Sequence, residues 1–148
     1  MSKISGVLTG AVPGGVYRFI SRAQPATVQA AVQAAGWQFA YLDGQAIVDK
    51  AGFLCAVGEA LAFPSYYGQN WDAFEECLND LSWLPAAGYV ILYDAVGKFA
   101  SQQPEEWATA RAILQAAAAA WSNEGKPFVV LLRGVGRSAA SRAGISRF

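Results

Sequence analysis

The chain has no histidine. That absence excludes Ser-His-Asp and Cys-His catalysis and every His-containing zinc site, and it removes the side chain best suited to proton transfer near neutral pH. Cysteine is scarce as well: Cys55 and Cys77 stand alone, both inside apolar helical patterns. They read as two buried, reduced thiols rather than a disulfide, and without histidine they cannot build a structural zinc site. No apolar run reaches the ~20 residues that span a bilayer. Ile4–Val12 after Lys3 faintly imitates a signal peptide, but Pro13-Gly14-Gly15 breaks it and no small-residue cleavage site follows, so a cytoplasmic protein is expected. Phosphate-cradling loops are also missing. Gly134-Val135-Gly136 lacks the third glycine and any βαβ unit after it, and Gly10–Gly15 lacks the Lys-Ser/Thr of a P-loop.

Charge is sparse, at 15% of residues, and sums to zero, but it is unevenly placed. Residues 1–22 carry Lys3, Arg18 and Arg22 and no acid; residues 133–148 carry Arg133, Arg137, Arg142 and Arg147 and no acid. All eleven acids fall between Asp43 and Glu124, where Lys50, Lys98 and Arg111 accompany them with Lys126 just beyond, and no Lys or Arg lies between Lys50 and Lys98. An acidic middle repels nucleic acid, and no interleaving of aromatic and basic residues suggests an RNA-binding sheet. What is abundant is apolar: 54% of 148 residues, enough for one globular domain that buries roughly two-thirds of its unfolded surface.

Short β-prone runs alternate with helical patterns. Val16–Ile20 reads as a strand, followed by a helix over Ala26–Ala35 with Pro25 at its start and Gly36 at its end. Trp37–Leu42 is a second strand closed by the turn pair Asp43-Gly44. Ile47–Ala62 is an amphipathic helix weakened at Gly52 and Gly58 by about 1 kcal/mol each relative to alanine. Gly88–Asp94 and Pro127–Leu132 are apolar on both alternate sets, as in strands covered on two faces. Between them Pro104, followed by Glu105 and Glu106 in the first turn, opens a long alanine-rich helix to about Asn123. The alternation predicts an α/β fold: a small parallel sheet of three or four strands flanked by helices, with an N-terminal strand-helix extension over 1–36, a core over 37–133 and a frayed basic tail over 134–148.

The most informative stretch is Phe63–Leu81, a tyrosine-bearing loop running into an Asn-capped helix. Trp71, Phe74, Leu78 and Leu81 recur on one helical face; Asp72, Glu75, Glu76, Asn79 and Asp80 recur on the other. Asp72 and Glu76, at i,i+4, repel, so this pattern costs helix stability where mixed signs would add to it. Three readings follow: a solvated face, a pair of catalytic carboxylates or a magnesium site, and a surface for a basic protein.

Pro64-x-Tyr66-Tyr67-Gly68-x-Asn70-x-Asp72-Ala73-x-x-x-Cys77-Leu78 resembles the signature of the barstar family, cytoplasmic inhibitors of guanyl-specific bacterial ribonucleases. The resemblance extends from Leu42-Asp43-Gly44 to the last strand, over roughly residues 37–133. It implies no catalysis, no cofactor and no metal, with a loop and helix that plug a ribonuclease active site. By position it makes Tyr66 the loop tyrosine that packs on the enzyme. Gly68 and Asn70 become the turn and cap that aim the helix, and Asp72 and Glu76 the acids that meet the cationic site. Glu124 becomes an acid reaching the rim. Tyr67, Glu75, Asn79 and Asp80 complete the expected partner-binding set. The best-known member has aspartate where Glu76 stands, tryptophan where Glu75 stands and glutamate where Ala120 stands. The expected partner is a basic microbial-type ribonuclease, or alternatively another basic toxin or regulatory protein using the same surface. Nucleic acid and membrane are not expected partners, and the free protein is expected to be a monomer.

Overall fold

Residues 89–93 and 128–132 are buried without exception, because each lies in a strand with helices on both sides. The computed structural model describes residues 2–10, 12–65, 67–134 and 146–147. The elements in order are α1 (Ser2–Leu8), β1 (Gly15–Arg18), α2 (Pro25–Ala34), β2 (Gln38–Asp43), a 3-10 turn (Gly44–Ala46), α3 (Lys50–Ala60) and α4 (Trp71–Asp80). There follow β3 (Tyr89–Asp94), α5 (Gly97–Gln102), α6 (Pro104–Asn123), β4 (Phe128–Leu132) and β5 (Ser146–Arg147). The strands form one parallel sheet in the order β2-β3-β4-β1-β5. Four strands are four to six residues long, and β5 adds a two-residue pairing at the outer edge of β1.

Strand alternation divides the core in two. Tyr89, Ile91, Tyr93, Phe128, Val130 and Leu132 face α3, α4, α5 and α6; Val90, Leu92, Val129 and Leu131 face α1 and α2. The expected α/β architecture is therefore present as three layers. No helix among the described residues is long and apolar enough to cross a membrane.

The N-terminal segment differs from expectation. It is helix-strand-helix, and β1 pairs with β4 from Gly15–Val129 to Arg18–Leu132. The run that imitates a signal peptide is in part α1, whose Ile4 and Val7, at i,i+3, are buried against the α2 layer. The helix α5 was not expected either. It begins at a glycine with no side-chain cap and is held by burial of Phe99 and Ala100. Of the tail expected to fray, Ser146–Arg147 is paired as β5; residues 135–145 and 148 lie outside the described set.

The helix expected from Ile47 starts later, at Lys50, where the Asp49 side chain accepts the Gly52 N–H at 2.8 Å. The intervening turn exists because Gly44 lies against the Asp94 and Ala95 carbonyl oxygens, leaving no room for a Cβ. The glycine of Leu42-Asp43-Gly44 is thus fixed by the close approach of two strand ends.

Candidate partner-binding site

The helix α4 is defined at both ends by its own sequence. Asn70 is extended, with φ −131°, and its Oδ1 accepts the Ala73 N–H at 2.8 Å. A cap of this kind is worth about 1 kcal/mol. Leu81 ends the helix in the left-handed region, at φ 50°, a conformation held by full burial of its side chain. Between the caps, Phe74, Cys77 and Leu78 are buried, while Asp72, Glu75, Glu76, Asn79 and Asp80 are all exposed. Among the described residues, none of the four carboxylates has an ion-pair partner; the ion pair formed there joins Arg133 to Asp94. Asn79 donates its Nδ2–H to the Glu75 carbonyl at 2.9 Å, staying on the helix surface. The negative field reaches inward: the Cys77 thiol is pushed up by burial and then by the charges of Glu76 and Asp80. Cys77 and Cys55 are free thiols; Cys77 is buried as expected, but Cys55 is exposed, on the outer face of α3.

The loop before α4 is anchored by aromatic rings. Phe63 stacks edge-on against Tyr67 at 4.8 Å and against Trp83 at 5.9 Å, and the Trp83 indole N–H donates to the Leu61 carbonyl at 3.0 Å. Tyr67 is half-buried, and its hydroxyl donates to the Leu54 carbonyl at 3.1 Å; burial holds its phenol far above the usual tyrosine range. Tyr67 therefore pins the loop onto α3 and offers a partner only the exposed part of its ring. Gly68 is exposed, and a Cβ there would crowd the Asn70 amide at 3.2 Å. The left-handed residue is its neighbour Gln69, at φ 52°. Tyr66 lies outside the described residues.

Tyr67 also accounts for Gly58. A Cβ on Gly58 would stand 2.8 Å from the Tyr67 ring. Gly58→Ala should gain about 1 kcal/mol of helix propensity and lose more by displacing the ring, because overpacking costs about 1–3 kcal/mol. The expected result is a lower melting temperature with faster hydrogen exchange over residues 63–69; a raised melting temperature would show that the ring yields freely.

Helix α6 runs beside α4 in the same direction. At their starts the Trp71 indole N–H donates to Glu106 Oε2 at 3.0 Å; at their ends the Trp121 indole N–H donates to the Leu78 carbonyl at 3.0 Å. Glu124, expected at the rim of the site, is the exposed residue that follows α6, three positions beyond Trp121. Trp71 is half-buried, packed on Phe53 and Phe74, with the Lys50 ammonium 5.4 Å from its ring centre. The sequence marks Glu106 only as a first-turn acid. Its meeting with Trp71, 35 positions away, had no local signal. Among the described residues no group of three or more His, Cys, Asp or Glu is placed to hold a metal ion.

A second polar centre lies at the carboxyl ends of the strands, where open α/β sheets commonly bind ligands. A crevice of about 660 Å³ there is lined in part by Tyr41, Asp43, Gln24 and Arg22, and Arg133 occupies its wall. Its guanidinium donates to Asp94 at 2.5 and 2.9 Å and to the Ser21 and Ala23 carbonyls at 3.1 and 2.7 Å, and it lies over the Phe19 ring. Tyr41 donates to the same carboxylate at 2.8 Å. Burial pushes Asp94 up, but the hydrogen bonds from Arg133 and Tyr41 and the Arg133 charge outweigh it and hold the carboxyl below its usual value. The Tyr41 phenol is pushed up to about 12 by burial, then by its bond to Asp94 and the charges of Asp94 and Asp43.

Two solved structures share the architecture. The Aeropyrum pernix ORC2 protein in its ADP form superposes with a TM-score of 0.59 over 93% of this chain and 40% of its own, at 18% identity. The ADPNP-ADP complexes of the same protein give 0.60 over 95% and 41%, at 12% identity. At these identities the likeness is one of fold alone, and the chain spans about 40% of the length of those proteins. A comparison with curated proteins finds no match. The family profile described as Barstar (barnase inhibitor) matches residues 37–133, from the residue before β2 to the residue after β4 and through the whole of α4 and its loop. With well over half its length matched, and with the capped acidic helix in the place the motif requires, this chain belongs to the barstar family.

Proposed function

We propose that the chain is a protein inhibitor of a basic ribonuclease, with α4 and the loop before it entering the enzyme's phosphate and base sites. The observation that carries this reading is the outer face of α4: four exposed carboxylates without ion-pair partners among the described residues, on a helix capped at both ends and anchored by Phe74, Cys77 and Leu78. A ribonuclease cleft is cationic because it binds phosphates. Carboxylates on a rigid helix can place oxygens where phosphate oxygens would lie and accept charge-assisted bonds from Arg, Lys or protonated His. The one-signed face should also speed encounter in a salt-sensitive way, an effect for which the barnase–barstar pair is itself the standard example. The inhibitor acts from the cytoplasm as a monomer and performs no chemistry of its own. The test is inhibition of basic guanyl-specific ribonucleases, barnase among them, by the wild type and by α4 variants.

The nucleotides named with the ORC2 structures belong to those proteins. Here the loop between β1 and α2, Phe19-Ile20-Ser21-Arg22-Ala23-Gln24, has neither the glycines nor the Lys-Ser/Thr of a P-loop. It turns two carbonyl oxygens toward the crevice, and Arg133 already takes them. That chemistry suits a guanidinium and repels a phosphate.

A further inference from the structure

Asp72 owes its direction to the first turn of α4, and a first turn is where a helix is least held by its own hydrogen bonds. The residue before the cap, Gln69, is in the left-handed region, which adds nothing to rigidity there. What holds the turn from outside is Trp71. Its indole N–H reaches Glu106 on α6 at 3.0 Å, and the Lys50 ammonium on α3 lies 5.4 Å from the ring centre. The two charges act together. A cation favours the electron-rich face of an indole and an anion favours its N–H edge, so each strengthens the other through the ring. Gln103 adds a tie between the same helix starts by accepting the Lys50 backbone N–H at 2.9 Å. Lys50 thereby spends its charge on the ring and leaves the acidic face of α4 unneutralised.

Building on the ribonuclease reading, we propose that Glu106 is a positioning residue for the recognition helix, fixing through Trp71 the direction in which Asp72 points at the partner. Glu106 need not touch the ribonuclease for this role. Its part is to accept a hydrogen bond, which glutamine can also do. A residue acting through its charge on the partner would not be replaceable in that way.

The test combines one measurement on the free protein with one on the complex. In nitrogen-15 spectra the Trp71 indole N–H, assigned by its loss in Trp71→Phe, is expected to exchange slowly in the wild type and in Glu106→Gln and quickly in Glu106→Ala. Dissociation from a ribonuclease that the wild type inhibits should speed up about tenfold in Glu106→Ala and in Trp71→Phe. The double variant should be no faster than either single one. Glu106→Gln should stay within about twofold of wild type, and in an Asp72→Ala background Glu106→Ala should add less than about twofold. Equal losses in Glu106→Gln and Glu106→Ala, or a wild-type rate in Glu106→Ala, overturn the proposal. A wild type that binds none of the basic ribonucleases overturns the ribonuclease reading, and this role with it. That failure is distinct because it is visible before any variant is made.

Discussion

Inhibition of a basic ribonuclease should fall by at least a hundredfold when Asp72 and Glu76 are both replaced by alanine. Each carboxylate is exposed in the free protein, one helical turn from the other, with no internal partner among the described residues. The truncations therefore remove no fold-stabilising ion pair; they relieve a like-charge i,i+4 contact, and the variant should melt no lower than wild type. In a complex each carboxylate would accept charge-assisted bonds worth about 1.5–3 kcal/mol, so losing two exceeds a hundredfold. A control separates local from global charge: Gln29→Lys with Gln33→Lys, on the exposed face of α2 across the sheet, changes net charge equally without touching α4. Inhibition constants at two salt concentrations should show a large loss for the first pair that persists at high salt, and a small loss for the second that high salt removes. Equal losses from both pairs would reduce the acidic helix to a diffuse field.

Stability should respond most to Arg133. Arg133→Met keeps an apolar stem but removes the guanidinium that lies over Phe19, leaving the two carbonyls without a donor and the Asp94 carboxylate with Tyr41 alone. Breaking a largely buried charge pair of this kind costs about 3 kcal/mol, a fall in melting temperature of about 10 °C. The pH dependence has a definite sign. The Asp94 carboxyl is held below its unfolded value of 3.8, so its contribution is complete above that pH and is lost as pH falls through the folded value. Wild-type stability should therefore drop below about pH 4 by this route, while Arg133→Met, already deprived of the pair, should lose less over the same interval. Parallel acid unfolding curves for the two proteins would remove the pair from the account.

The site was legible where its causes are local. Asn70, the helix period and the one-signed outer face all lie within a dozen residues, and the structure places them as the spacing predicts. The long buried strands were legible because residues covered on two faces must all be apolar. What could not be read depends on distant contacts. Gly58 reads as a flaw in a helix until Tyr67 is seen lying across it. Tyr67 reads as interface or core alike until its hydroxyl is seen on Leu54. The partnership of Trp71 with Glu106 joins residues from different helices, and the pairing of β1 with β4 joins residues more than a hundred positions apart. The helix α5 was missed because it carries no side-chain cap, and α1 because Lys3 and the apolar run after it read as an imitation of a signal peptide.

The placement of β1 also bears on whether the family region can be cut free. A fragment beginning at Trp37 would strip β4 of its neighbour along Val129–Leu132 and uncover Val129 and Leu131, leaving a flat, greasy rim of unanswered amides and carbonyls. Rims of that sort recruit other chains by strand addition. Strand β1, with α1 and α2 on the sheet face opposite α4, thus acts as a shield against self-association, keeping that rim closed to other copies of the chain.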